Sequence, residues 1–137
     1  MRRQTTGFTL IELIVAVALM SIITMISVSS YRQYMVRANR TDAGAALLRI
    51  AAAQERWFLN NNRYSGDPVE LIGGTTTEHS YYDVTIDLEA DPAAGYTAIA
   101  EPVPGGRQST DADCQELSID ETGLRDSEPK GIDVCWR

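Results

Sequence analysis

The chain has 137 residues, about one domain's worth, and if a long stretch lies in a membrane the remainder is enough for one modest core. Its formal net charge of −7 is unevenly spread: 13 acidic and 4 basic residues lie from Ser80 onward, against 6 and 8 up to His79. That acidic second half argues against generic duplex binding, which draws most of its affinity from phosphate neutralisation, while one His and two Cys without CxxC or His-rich spacing argue against a zinc site or a catalytic constellation.

The chain opens with Met1 to Gly7, short and polar, carrying Arg2 and Arg3. Phe8 to Val28 follows, 21 residues with Glu12 as its one charged member. A helix of that length spans about 30 Å, the thickness of a bilayer core. The preceding arginines favour a cytoplasmic N-terminus, with the rest of the chain outside the cytoplasm. An ordinary signal peptide is one competing reading, since Ala16-Val17-Ala18 offers a small-x-small site, but the apolar run continues for ten residues beyond it. A plain single-pass anchor is another, and it leaves Glu12 unexplained. A lone carboxylate near the end of an apolar helix costs a few kcal/mol unless paired or protonated, so it points to function.

Gly7-Phe8-Thr9-Leu10-Ile11-Glu12-Leu13 resembles the cleavage motif of type IV prepilins and type II secretion pseudopilins. The resemblance implies cleavage after Gly7 by a membrane prepilin peptidase and N-methylation of the new terminus at Phe8. It also implies that the Glu12 carboxylate pairs with the amine of a neighbouring subunit, so that a buried unpaired charge drives docking into register. Many such chains carry Pro where Ser29 stands; without its obligate loss of a hydrogen bond, a kink there is not required. Residues 1–7 are thus read as a leader that is removed, residues 8–30 as the transmembrane and filament-core half of a helix, and residues 31–137 as a periplasmic head.

Tyr31 to about Leu59 has no Pro and one interior glycine, Gly44, and is rich in good helix formers. Ala43, Leu47, Ile50, Ala51, Gln54 and Phe58 fall on one stripe, with Trp57 at its edge, and should cover a sheet. A second stripe holds Ala45, Leu48, Ala52 and Leu59, with Arg49, Arg56 and Arg63 beside it. Either the helix is buried on two sides, or the second side faces neighbouring subunits. Asn60-Asn61-Asn62 stops the helix, and Tyr64 to Ser80, with Gly66, Pro68, Gly73 and Gly74, reads as a loop.

Tyr82, Val84, Ile86 and Leu88 alternate with Asp83, Thr85, Asp87 and Glu89 in a half-buried strand. A turn over Asp91–Gly95 leads to a second strand over Tyr96–Val103. The paired carboxylates Asp111 and Asp113 read as solvated members of an acidic loop. Leu117 and Ile119 mark a third strand, Thr122-Gly123 a turn, and a weak signal allows a fourth strand near the C-terminus. Tight turns imply antiparallel pairing, so the fold class is α+β, one long helix laid on a small meander.

Arg40-Thr41-Asp42-Ala43, Gln54-Glu55-Arg56-Trp57-Phe58 and the ending Cys114-x-x-Leu117-x-Ile119 with Cys135-Trp136 resemble PilE-type minor pilins. An extracytoplasmic head with two cysteines favours a Cys114–Cys135 bridge, the alternative being two buried free thiols. Such a bridge contributes roughly 3 kcal/mol by the chain-entropy model.

The resemblance implies a structural subunit of the type IV pilus, a minor pilin in assembly or initiation that serves adhesion or twitching motility. It would sit in the inner membrane as a single pass and then in a surface pilus. Its partners would be other pilin subunits, through the N-terminal helix, and the prepilin peptidase, with no cofactor, no metal and no enzymatic activity. Two other readings stand beside it. One is a DNA-uptake receptor pilin, for which Arg107, Arg125, Lys130 and Arg137 are the head's candidate contacts. The other is a type II secretion pseudopilin, against which the cysteine pair weighs.

Overall fold

The computed structural model describes residues 7–136, so the leader arginines Arg2 and Arg3 lie outside the described residues. Two compact units meet between Met35 and Val36. The first is a stretch of helix α1, whose full range is Leu10–Asn61. Thr9 caps it: its Oγ1 accepts from the Glu12 backbone N–H at 3.4 Å. Leu, Ile, Val, Met and Ala then run on without Pro or Gly. The hydroxyls of Ser21, Thr24 and Ser27 donate to the carbonyls of Ala18, Met20 and Ile23 at 2.7, 2.7 and 2.8 Å. These three hydroxyls are thus satisfied within the helix itself. Ser29 is helical.

In the second unit the helix buries Ala43, Ala46, Leu47, Ile50, Ala53 and Gln54. The expected stripe is therefore shifted: Ala46 and Ala53 join it, while Ala51, Trp57 and Phe58 are only half-buried. Small alanines at i, i+3 and i+10 (Ala43, Ala46 and Ala53) let the helix backbone lie close to the sheet. The Asn run ends the helix through its side chains. Asn60 and Asn61 donate from Nδ2 to the carbonyls of Arg56 and Trp57, both at 2.9 Å. Asn62, at φ 53°, takes the left-handed position that follows a helix.

The segment expected as loop contains a short helix, α2 (Pro68–Ile72). Asp67 accepts from the Val69 N–H, Pro68 stands in the first turn where no donor is needed, and Gly73 closes it at φ 84°.

Four strands follow: β1 (Tyr82–Leu88), β2 (Tyr96–Pro102), β3 (Cys114–Asp120) and β4 (Arg125–Pro129). They form one antiparallel sheet in the order β1-β2-β3-β4. β2 stops one residue short of the expected Val103. Val84 opposes Ala100 and Ile86 opposes Ala98, which in turn opposes Ile119, while Ala100 opposes Leu117. These residues, with Tyr82 and Tyr96, make the core against the helix. Leu88, expected inside, is exposed at the strand's end. The rings of Phe58, Tyr64 and Tyr96 pack in sequence, tilted, with centroids 4.8 and 4.9 Å apart, joining the helix end to β2. Cys114 at the start of β3 is bridged to Cys135 at the end of α3 (Ile132–Cys135), with Cα atoms 5.7 Å apart.

Candidate functional site

From Phe8 to Val28 the large apolar side chains are exposed, from 48% at Val28 to 85% at Phe8. A helix that is apolar all round and buries nothing of its own requires lipid or other helices around it. It is long and apolar enough to cross a membrane. Glu12 stands in its first turn, where a carboxylate complements the helix dipole. Thr9-x-x-Glu12 also has the spacing of a capping box, a local signal the apolar pattern overshadowed.

Farther along, the second stripe is exposed: Ala45, Leu48, Ala52 and Leu59 all face outward, Leu59 at 81%. The helix is therefore not buried on two sides within the chain. Its free apolar row, flanked by exposed Arg49 and Arg56, is a second surface that other helices can cover, while Arg63, expected beside it, stands past the helix end at Asn61.

The head is fixed to this helix by buried polar contacts that the sequence reading missed. Arg40 is 5% exposed and its guanidinium is bidentate to Asp111, 3% exposed, at 2.7 and 2.8 Å. Its Nη1 also donates to the Val134 carbonyl at 3.0 Å. Asp111 is thus no solvated loop residue: it neutralises a buried cation. Asp113 remains half-exposed, 4.0 Å from Arg40. The Asp111 hydrogen bonds hold the Arg40 guanidinium above its ordinary value, against the opposing effect of burial. Gln108, fully buried, donates to the Val36 carbonyl at 3.0 Å and to the Tyr82 hydroxyl at 2.8 Å, and accepts from Asn39 at 3.1 Å. Burial pushes the Tyr82 phenol up. Gln54 exchanges two hydrogen bonds with the Ser65 backbone, at 2.6 and 2.9 Å. Arg40 shares a helix face with Ala43 and Leu47, which is a signal for burial; Gln108 had none.

The candidate basic contacts of the head are divided. Arg125 lies over the Trp136 ring, 5.0 Å from its centroid, and Trp136 donates to the Asp126 carbonyl at 2.8 Å. Arg107 and Lys130 are exposed, and Arg137 lies outside the described residues. The outward face of the sheet is acidic. Asp83 opposes Glu101 and Glu116 opposes Glu128. Because Ala100 opposes Leu117, Glu101 falls beside Glu116, giving a row of four carboxylates across four strands.

A family model described as type IV minor pilin ComP, DNA uptake sequence receptor, matches residues 29–118. A second, the prokaryotic N-terminal methylation motif, matches residues 2–28. The chain belongs to the type IV pilin family. The type IV major pilin of Myxococcus xanthus is 30% identical to this pilin over 101 residues, 74% of this chain and 46% of the relative. This pilin thus spans about half the length of that protein. The type IV wide pilus major component of Thermus thermophilus is 30% identical over 98 residues, 72% of this chain and 74% of the relative. Among solved structures, a type IV pilin from Shewanella oneidensis superimposes with TM-score 0.54 at 27% identity, covering 74% of this chain and 98% of that one. The Neisseria meningitidis non-core minor pilin PilV has the same TM-score at 20% identity, covering 69% and 88%, a likeness of fold alone.

Proposed function

We propose that this pilin is a structural subunit of the type IV pilus, a minor pilin in assembly or initiation, serving pilus-dependent adhesion or twitching motility. The observation that carries the reading is the apolar helix of membrane length, exposed on every side, with one carboxylate in its first turn. In this reading the leader is removed after Gly7, Phe8 is N-methylated, and the chain spans the inner membrane once with residues 31–137 in the periplasm. On assembly the helix leaves lipid for a bundle of its own kind, and Glu12 meets the Phe8 amine of a neighbour. Other pilin subunits and the prepilin peptidase are the partners.

Two measurements test it. Edman sequencing of membrane-extracted protein should begin at Phe8; a start at Met1 or after Ala18 would sink the reading. Glu12→Ala should be cleaved and membrane-inserted yet incorporate poorly into sheared pili, with Glu12→Val behaving alike because charge is what is lost. Wild-type incorporation of both variants would remove the pairing role.

The description of the matched family model favours a second reading, a receptor for DNA in uptake. The row of carboxylates on the sheet and the engagement of Arg125 with Trp136 weigh against it. A deletion scored together for surface piliation, secretion and DNA uptake separates the readings. Loss of uptake with piliation intact would favour the receptor.

A further inference from the structure

The segment between α2 and β1 returns to helix α1 through the chain's one histidine. His79 Nδ1 is 2.9 Å from Asp42 Oδ1. Asp42 is 11% exposed, and its other oxygen, Oδ2, is buried with no hydrogen-bond partner among the described residues. A carboxylate in that position carries an incompletely compensated charge. The His79 ring is 62% exposed and lies parallel to the Tyr81 ring, 15° between planes and 5.7 Å between centroids. Thr77 holds the tip in place: its Oγ1 accepts from the N–H groups of Tyr81 and Tyr82, both at 3.2 Å. Ser80, at φ 56°, turns the chain so that His79 faces the helix. A cleft of about 310 Å³ lies there, with Ala38, Thr41 and Ala45 of the helix opposite Glu78, His79 and Tyr81.

We propose that His79 and Asp42 form a proton-operated latch that fastens the α2–β1 segment to helix α1 and opens as the imidazolium loses its proton. Neutral imidazole can donate a hydrogen bond to the Asp42 carboxylate with only the acceptor charged, whereas imidazolium adds an ion pair to the same contact. The imidazolium also gains from the face of Tyr81. The groups around it act in one direction. Asp42 on the helix and Glu78 on the segment both favour the charged ring, the hydrogen bond to Asp42 most, and exposure leaves little desolvation to oppose them. Arg49, 4.0 Å from Glu78, makes a pair with it that is too exposed to hold the segment by itself. Because these contacts raise the His79 pKa above 6.5, the latch is fully closed below that value and is released as pH rises through the higher folded-state value.

The cleft shares Ala45 with the exposed apolar stripe of the helix. The state of the latch therefore shapes the border of the surface offered to neighbouring subunits, a consequence that rests on the pilus-subunit reading. The latch itself is tested without assembly. The full chain in detergent micelles, with ¹³C-labelled histidine, gives one imidazole signal to follow by NMR through a pH titration. Its midpoint should lie above 6.5 and fall toward it in Asp42→Asn. Hydrogen exchange of residues 73–81, corrected for intrinsic rate, should lose protection by up to about fivefold across the same midpoint, the upper end for a partly exposed ion pair. In the exposed-site variant His79→Gln that protection should be low and independent of pH. A midpoint unmoved by Asp42→Asn, or segment protection independent of pH in the native chain, would overturn the latch. Either result would leave the subunit reading to its own tests.

Discussion

The residue that best shows how this head is fixed to its helix is Arg40. A guanidinium with 5% exposure is tolerated because Asp111 meets it through two parallel hydrogen bonds and Val134 accepts a third. Removing one partner leaves a buried charge uncompensated. Arg40→Met and Asp111→Leu should each destabilise the chain by about 3 to 5 kcal/mol, since either leaves a buried charge without its counter-charge. Adding Asp111→Leu to Arg40→Met should recover much of the loss, as an apolar pair of similar volume often replaces a buried ion pair at little cost. Denaturant midpoints of the three variants in detergent would check this. A double variant as unstable as the sum of the two single changes would show that the contacts do not act as a pair. The pairing was illegible in the sequence because its members lie 71 residues apart. Asp111 shares its local surroundings with solvated carboxylates, and only the fold brings it under the helix.

At the level of elements, legibility followed the strength of alternation. β1 was plain because Tyr82, Val84 and Ile86 point inward between polar neighbours. β4 was faint because its one buried residue, Ser127, is polar, so no apolar period exists to read. Helix α2 was missed although its stop and start signals, Asp67-Pro68 and Gly73, are both present; five residues are too few for a periodic face. Gly44, the one interior glycine of the stretch from Tyr31, has the Trp136 ring against it, 3.5 Å from where a Cβ would stand. The sheet's outer face carries a cost instead. Glu116 sits between Glu101 and Glu128, and its pKa is raised, by burial first and by these neighbours next. Its deprotonation is therefore less favourable folded than unfolded, and stability is lost as pH rises through the folded value. Glu116→Gln should raise stability at pH about 7 by about 0.5 kcal/mol, the scale of one like-charge cross-strand contact, or about 2 to 4 °C in Tm. The difference should vanish in acid, where the native side chain is also neutral. Equal melting temperatures at both pH values would mean the row is fully screened by solvent.

The whole molecule is divided by charge, and that division bears on the receptor reading. Duplex binding requires several phosphate contacts on one surface, and its affinity falls steeply with salt. The exposed sheet face presents the row Asp83, Glu101, Glu116 and Glu128. Of the head's candidate basic contacts, Arg125 is engaged with Trp136, leaving Arg107 and Lys130 exposed among the described residues. The helix adds Arg49 and Arg56 beside its apolar stripe, a surface that neighbouring subunits would cover in a fibre. The full chain in detergent should therefore bind duplex DNA only weakly, above micromolar Kd, in anisotropy titrations at about 50 mM and about 200 mM salt. Sub-micromolar binding that falls steeply between the two salts would overturn the expectation, and substitution then locates its source. Loss on Arg107→Ala with Lys130→Ala would place the contacts on the head and move the chain to the DNA-uptake branch. Loss on Arg49→Ala with Arg56→Ala would place them on the helix, where binding and assembly compete for one surface, so that added duplex should suppress incorporation into pili.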